Sequence, residues 1–187
     1  LVIETRTQID EALMNPIITP VRIEALEKLN HDVMKMTLKL PGNKTLGFRA
    51  GQYLEFIMKD GSRRAFSIAS PPSESLIELH LRLIEGGKFT HFVFNEMQEK
   101  TIHRIEVPLG QFYMRESDKP IIFVSGGTGF APIKSVIEDM IQSRNTRPIF
   151  LYQGVKAEED LYMNEICKLW ESEYLNIKYI PIFSDPT

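Results

Sequence analysis

Two hydrophobic rhythms divide the chain. Up to about residue 110, apolar residues tend to recur at every second position. Beyond residue 119 they come in unbroken runs or at helical spacing. Met34, Met36, Leu38 and Leu40 alternate with Lys35, Thr37 and Lys39, the period of a strand with one buried face. Ile77, Leu79, Leu81 and Leu83 alternate in the same way with Glu78, His80 and Arg82. Asp60-Gly61 separates strand-like runs at 53–59 and 65–70. That dipeptide tolerates the positive φ of a tight hairpin turn. Residues 89–97 shift to helix-like spacing, and 102–107 return to a strand. Short strands, turn signals and one short helix predict a small antiparallel barrel.

From Lys119 the pattern changes. Pro120-Ile121-Ile122-Phe123-Val124-Ser125 is a continuous apolar strand, the kind buried on both faces. A glycine turn follows, then Ile133, Val136, Ile137, Met140 and Ile141 at helical spacing. Residues 148–152 read as a second strand, 158–170 as a second helix, and 174–183 as a third strand. This βαβαβ order predicts a parallel sheet. The expected division is a linker remnant at 1–15, a barrel at 16–116 and an incomplete α/β domain at 117–187. Leu1 in place of a start methionine, and a strand near Thr187 with nothing to close it, read as a piece of a longer protein.

Composition narrows the functional classes. The 187 residues carry a formal net charge of −3, which gives no electrostatic footprint for nucleic acid. No apolar run approaches the ~20 residues a bilayer-spanning helix requires. Cys167 is the only cysteine, so a disulfide framework, a four-cysteine zinc site and an iron–sulfur cluster held within this chain are excluded. A lone thiol fits a reducing, cytoplasmic compartment. The four histidines show no metal-ligand spacing, and no metal site is expected.

Arg64-Ala65-Phe66-Ser67-Ile68-Ala69-Ser70 is the most informative stretch. Alternation puts Arg64, Phe66 and Ile68 on one side and Ala65, Ser67 and Ala69 on the other. Such a strand suits a phosphate, a flat ring and a ring nitrogen, because arginine grips phosphate through paired charge-assisted hydrogen bonds. It equally suits an ordinary barrel strand with an exposed Arg and a core Phe. Gly126-Gly127-Thr128-Gly129-Phe130-Ala131-Pro132 lies between a strand and a helix, where backbone N–H groups and the helix dipole receive phosphate. A purely structural turn is the alternative. Pro132 departs from the dinucleotide fingerprint, and Ile133 replaces the glycine a P-loop needs before Lys134-Ser135. Gly86-Gly87-Lys88-Phe89-Thr90 opens the short helix, with Thr90 as a cap-like hydroxyl; an anion site and a plain turn both fit it. Lys156, after Gly154-Val155, suits either a nucleotide phosphate or solvent.

In this order, the three glycine- or arginine-marked stretches resemble the ferredoxin–NADP reductase superfamily, from about Ile17 to Phe183. Arg64 to Ser70 is similar to its flavin motif, Arg-x-Tyr/Phe-Ser-x-x-Ser. Gly126 to Pro132 is similar to its Gly-Gly-Thr-Gly-x-x-Pro nucleotide loop. The resemblance implies a six-stranded antiparallel Greek-key flavin barrel followed by an incomplete parallel Rossmann-like domain. It implies FAD and NAD(P)H as cofactors and an iron–sulfur domain or protein as electron acceptor. NAD(P)H–flavin reductases, and reductases with an upstream iron–sulfur domain such as oxygenase reductase components and CDP-6-deoxyglucoseen reductases, look nearest. For the latter, Ile18-Thr19-Pro20-Val21-Arg22 is similar to the inter-domain junction, and the cluster cysteines would precede Leu1. A catalytically silent flavin- or partner-binding fragment is the reading from another class.

The implied roles are specific. Arg64 binds flavin phosphate, Phe66 packs on the isoalloxazine, and Ser67, the catalytic candidate, hydrogen-bonds near N5. The implied cofactor set adds Ala65, His80, Leu81, Arg82, Gly87, Lys88, Phe89 and Thr90, with Gly127, Thr128, Gly129 and Pro132 at the nucleotide. Three departures stand out: Val107 before Pro108 where Gly is common, Lys156 where Arg is common, and no match to the later Cys-Gly-Pro segment.

Overall fold

The computed structural model describes residues 15–185; the expected linker at 1–15 therefore lies outside the described residues apart from Asn15. Six strands form the first sheet: β1 Ile17–Lys28, β2 Val33–Lys39, β3 Tyr53–Ile57, β4 Arg63–Ser67, β5 Ile77–Arg82 and β6 Ile102–Leu109. All neighbours are antiparallel, in the order β4-β3-β6-β1-β2-β5. The two edge strands approach each other through one bridge, Ile68 to Leu79, so the sheet is barrel-like without a complete closing ladder. Ile23, Met36, Leu38, Leu54, Leu79, Leu81 and Ile105 fill its interior. Helix α1, Lys88–Asn95, presses Phe89 and Val93 into that core.

The Asp60-Gly61 hairpin forms as its residue types require. Gly61 takes φ +79°, and the Asp60 carboxylate accepts from the Ser62 N–H at 2.9 Å. Strand β1, the longest, has no sequence signal of comparable strength. Of its twelve residues only Val21 and Ile23 are buried, too few for alternation to reveal it.

The second unit is a parallel sheet of β7 Ile121–Gly126, β8 Ile149–Val155 and β9 Ile177–Phe183, in that order. Helices α2, Phe130–Gln142, and α3, Asn164–Glu173, pack with it around Phe123, Ile137, Leu151 and Trp170. Two expectations are corrected. β7 is not covered on both faces: Ile122 and Val124 remain 66% and 75% exposed, because both helices share one apolar cluster with the opposite face. The second helix does not begin at residue 158. Glu158–Asp160 form a 3-10 turn, which the Asp160 carboxylate closes by accepting from the Ala157 N–H at 3.1 Å. Met163 then turns left-handed at φ +59° before α3 starts.

The two units pack closely. Val33 and Ala50, from the first, belong to the apolar cluster of the second. No helix among the described residues is long and apolar enough to cross a membrane.

Candidate functional site

Strand β4 is an edge, so its side chains are accessible at the barrel rim. Phe66 stands opposite Leu54, and Arg64 opposite Phe56. Directly paired residues share a face, so Arg64, Phe66 and Ile68 lie on the inner side and Ala65 and Ser67 on the outer, as the alternation predicts. Adjacent arginines differ sharply. Arg63 is neutralised by Glu55 at 3.0 Å and by Glu106. Arg64 enters no ion pair among the described residues; its guanidinium donates only to the Arg63 carbonyl, at 2.7 Å. An exposed guanidinium without a carboxylate is ready for a phosphate. Phe66 is half-buried, 5.5 Å from the Phe89 ring and 6.1 Å from Phe56. The Ser67 hydroxyl is half-buried and makes no side-chain hydrogen bond among the described residues.

The start of α1 provides a second element. Gly87 is its N-cap, with no side chain capping the helix, so the first-turn N–H groups have no helical partners. A Cβ on Gly87 would meet the Thr90 hydroxyl at 2.8 Å and the Ile84 carbonyl at 3.0 Å, so the turn admits glycine alone. Thr90 is not the cap. Its hydroxyl accepts from the Ile84 N–H at 3.1 Å and donates to the Gly87 carbonyl at 3.2 Å, fastening the turn instead. Lys88 is exposed. Leu81 and Phe89 are core residues at 0% and 5% exposure, which leaves only their backbone for a ligand.

The glycine loop after β7 provides the third element. Gly127–Gly129 form a 3-10 turn that runs directly into α2, again without a side-chain cap. Gly127 adopts φ +49°, and a Cβ there would lie 3.1 Å from the Arg82 guanidinium. Gly129 has an ordinary φ, and a Cβ there would touch nothing within 4 Å. The protein itself does not require glycine at 129; a ligand lying close to the loop would. Thr128 is half-buried beside it, and Pro132 sits in the first turn of α2.

This loop opens a crevice of about 360 Å³ beyond the carboxyl ends of the parallel strands, walled by Gly127, Gly154, Lys156 and Tyr162. In open α/β sheets ligands sit at that end. The barrel closes the other side with Asp32 and Arg82. The Asp32 carboxylate holds Arg82 at 2.5 Å, aiming it at the glycine loop.

Behind the crevice runs a polar seam between the units, which the sequence reading does not assign. Its members are Glu78 and His80 of β5, Lys134, Ser135 and Glu138 of α2, and Tyr162. The His80 Nε2 donates to Glu78 at 2.7 Å, and its Nδ1 accepts from the Tyr162 hydroxyl at 3.2 Å. His80, 3% exposed, is thus committed to this seam. Lys134, 5% exposed, lies 3.3 Å from Glu78 and 2.9 Å from Glu138. Burial opposes ionisation of Glu78, but the His80 and Lys134 contacts outweigh it and hold the carboxyl at about 2. Glu138 has Lys134 without a second donor, and burial leaves its carboxyl raised. Burial also pushes His80 below its ordinary value and Tyr162 above its own.

The residues fit a dinucleotide-type flavin on grounds internal to the structure: among the described residues Arg64 has no ion pair and the Ser67 hydroxyl no side-chain hydrogen bond, and the α1 start is uncapped behind an obligate glycine. The glycine loop fits a second nucleotide by the same logic. The oxidoreductase FAD-binding domain family matches residues 20–113, and the oxidoreductase NAD-binding domain family matches residues 123–187. The CDP-6-deoxy-L-threo-D-glycero-4-hexulose-3-dehydrase reductase of Yersinia pestis is 37% identical over 88% of this chain and 50% of its own length. A ferredoxin–NAD(P)(+) reductase component of the naphthalene 1,2-dioxygenase/salicylate 5-hydroxylase systems of a Ralstonia species is 33% identical, over 90% and 52%. The structure of the Amycolatopsis cytochrome P450 reductase GcoB superposes with a TM-score of 0.86 at 26% identity, over 93% of this chain and 54% of that one. The chain spans about half the length of the curated relatives it matches.

Proposed function

The chain belongs to the oxidoreductase FAD-binding domain family, of the ferredoxin–NADP reductase type that its motifs resemble, and from that premise we propose that it is the flavin- and nucleotide-binding part of an NAD(P)H-dependent reductase. The division proposed is a flavin barrel at 16–116 and a nucleotide domain at 117–187. The chemistry supplied by bound FAD is acceptance of a hydride from NAD(P)H and release of electrons singly, which the protein directs through orientation and local electrostatics. Arg64 and the α1 start at Gly87, Lys88 and Phe89 bind the flavin phosphates, with Thr90 shaping that turn. Phe66 and the backbone of Ala65 border the ring, and the Ser67 hydroxyl hydrogen-bonds it. The backbone of Gly127, Thr128 and Gly129, with Pro132 setting the helix start, receives the nucleotide. Arg82 reaches that nucleotide from the barrel side.

Electrons then pass to an iron–sulfur domain or protein. The likeness to a ferredoxin–NAD(P)(+) reductase component supports this acceptor. A reducing, cytoplasmic setting fits Cys167, whose thiol is buried and pushed up to about 12, far from a reactive thiolate.

The observation that carries the proposal is the contrast within one dipeptide: Arg63 paired with Glu55 and Glu106, Arg64 in no ion pair among the described residues. The test is anaerobic mixing of the FAD-loaded chain with NADH while the visible flavin absorption is followed. Bleaching is expected. An unchanged spectrum in a chain that retains FAD would reduce the assignment to a binding module. Flavin lost on gel filtration, yet reduced when supplied in excess, would make it a diffusing substrate.

A further inference from the structure

Helix α2 begins at the glycine loop, and one turn further on it grips the barrel. The Ser135 hydroxyl, fully buried, donates to the Ser70 carbonyl at 2.7 Å. The Lys134 ammonium donates to the Ala69 carbonyl at 3.4 Å while it pairs with Glu78 and Glu138. Ala69 and Ser70 directly continue the flavin strand: Ser67 is two residues before Ala69. They are pinned from the barrel side as well. The Ala69 N–H donates to the Glu78 carbonyl at 2.7 Å, and the Ser70 hydroxyl accepts from the Glu78 N–H at 3.0 Å.

A buried ammonium is costly unless it is paired, and apolar residues of similar volume commonly replace such ion pairs with no loss of stability. An apolar side chain would therefore serve if α2 needed only to pack. A lysine and a serine aimed at two consecutive carbonyls instead fix the position of one backbone segment. Resting on the functional reading above, we infer that Lys134 and Ser135 are positioning residues which couple nucleotide binding at Gly127–Gly129 to the flavin strand at Ser67–Ser70. A rigid helix carries the coupling: a ligand that shifts or stiffens its first turn shifts or stiffens the carbonyls held by the next. The coupling is reciprocal, so FAD and NAD+ each change the other's affinity by one common factor.

The experiment measures the FAD dissociation constant of the 187-residue chain with and without saturating NAD+, in wild type and in the Lys134→Met/Ser135→Ala double variant. In wild type NAD+ should change it by about 5-fold or more, the range in which coupled sites commonly fall. In the double variant that factor should fall to near one, while FAD and NAD+ each still bind alone within about 2-fold of wild type. A variant that keeps the wild-type factor overturns the inference, as does a wild type that binds both ligands independently. A wild type that binds neither ligand overturns the functional reading and the inference with it. Amide exchange in the wild type needs no variant to fold. NAD+ should slow exchange at Ala69 relative to the barrel strands, and unchanged exchange there would also overturn the inference.

Discussion

The two halves of the molecule prepare for phosphate in different ways. On the barrel, the recognition proposed at β4 is a matter of side chains: a guanidinium at Arg64 with no ion pair among the described residues, a ring at Phe66 and a hydroxyl at Ser67, displayed on an edge strand. In the α/β unit it is a matter of backbone. Gly127–Gly129 turn uncapped N–H groups into a crevice, and the charged side chain that lies against Gly127, Arg82, comes from the barrel. The lesson is that a side-chain site should weaken in steps as its groups are trimmed. A backbone site should tolerate nothing that adds a Cβ and be nearly indifferent to its charged surroundings.

Gly127→Val bears hardest on this contrast. A β-branched residue at φ +49° is strained, and its Cβ would press on Arg82. Nucleotide affinity should fall by about 100-fold or more, equivalent to ~3 kcal/mol, while FAD affinity stays within a small factor. Calorimetric titration of each ligand checks this; equal losses for both would erase the distinction between the halves.

Arg64→Ala comes next. Loss of charge-assisted hydrogen bonds, each worth ~1.5–3 kcal/mol, should weaken FAD by roughly 10- to 100-fold. Arg64→Lys should recover part of that, because lysine keeps the charge and loses the fork. Fluorescence titration, with circular dichroism confirming the fold, would show whether the two variants differ. Full recovery by lysine would mean the site reads charge alone.

Acid should loosen the seam between the halves. The buried His80 has a lowered pKa, so acidification first favours the unfolded chain, which takes up a proton near pH 6.5. Glu78 is ionised in the folded protein down to about 2, against 4.5 unfolded. Its stabilisation is complete above pH 4.5 and disappears as the pH falls toward 2, amounting to ~2–3 kcal/mol. Glu138 works in the opposite direction, since its raised carboxyl is destabilising once ionised. Melting temperature should therefore fall in two windows below neutrality; burial lowers His103 as well, so it shares the upper window, and His80→Gln should shrink that window rather than abolish it. A single window in both proteins would show that His80 is not held neutral.

The smallest effect is expected from Lys156→Ala. Lys156 lines the crevice but enters no ion pair among the described residues, and an exposed charge contributes at most ~1 kcal/mol. NADH affinity should drop by no more than about 5-fold. A larger loss would make the nucleotide site depend on side chains after all.

What could be read from the sequence follows the same division. Alternation at Met34–Leu40 and Ile77–Leu83, and the strand–glycine–helix order around Gly127, state their structures locally, because the period of burial is printed along one segment. The strand placement of Arg64 and the turn placements of Gly87 and Gly127 were legible for that reason. Strand β1 was not, because it is buried at only Val21 and Ile23. The covering of β7 was misjudged because Ile122 and Val124 are as apolar as buried residues, yet no described element lies over them. The seam is illegible in principle: Ser70 and Ser135 are 65 residues apart, and His80 and Tyr162 are 82 apart. No local pattern announces a partner that only the fold brings near.

The most direct test of the account is a titration of the purified 187-residue chain with FAD, followed by flavin fluorescence. The account predicts saturable one-to-one binding that Arg64→Ala weakens and Gly127→Val leaves alone. A chain folded by circular dichroism that leaves FAD fluorescence unchanged at every concentration would contradict it.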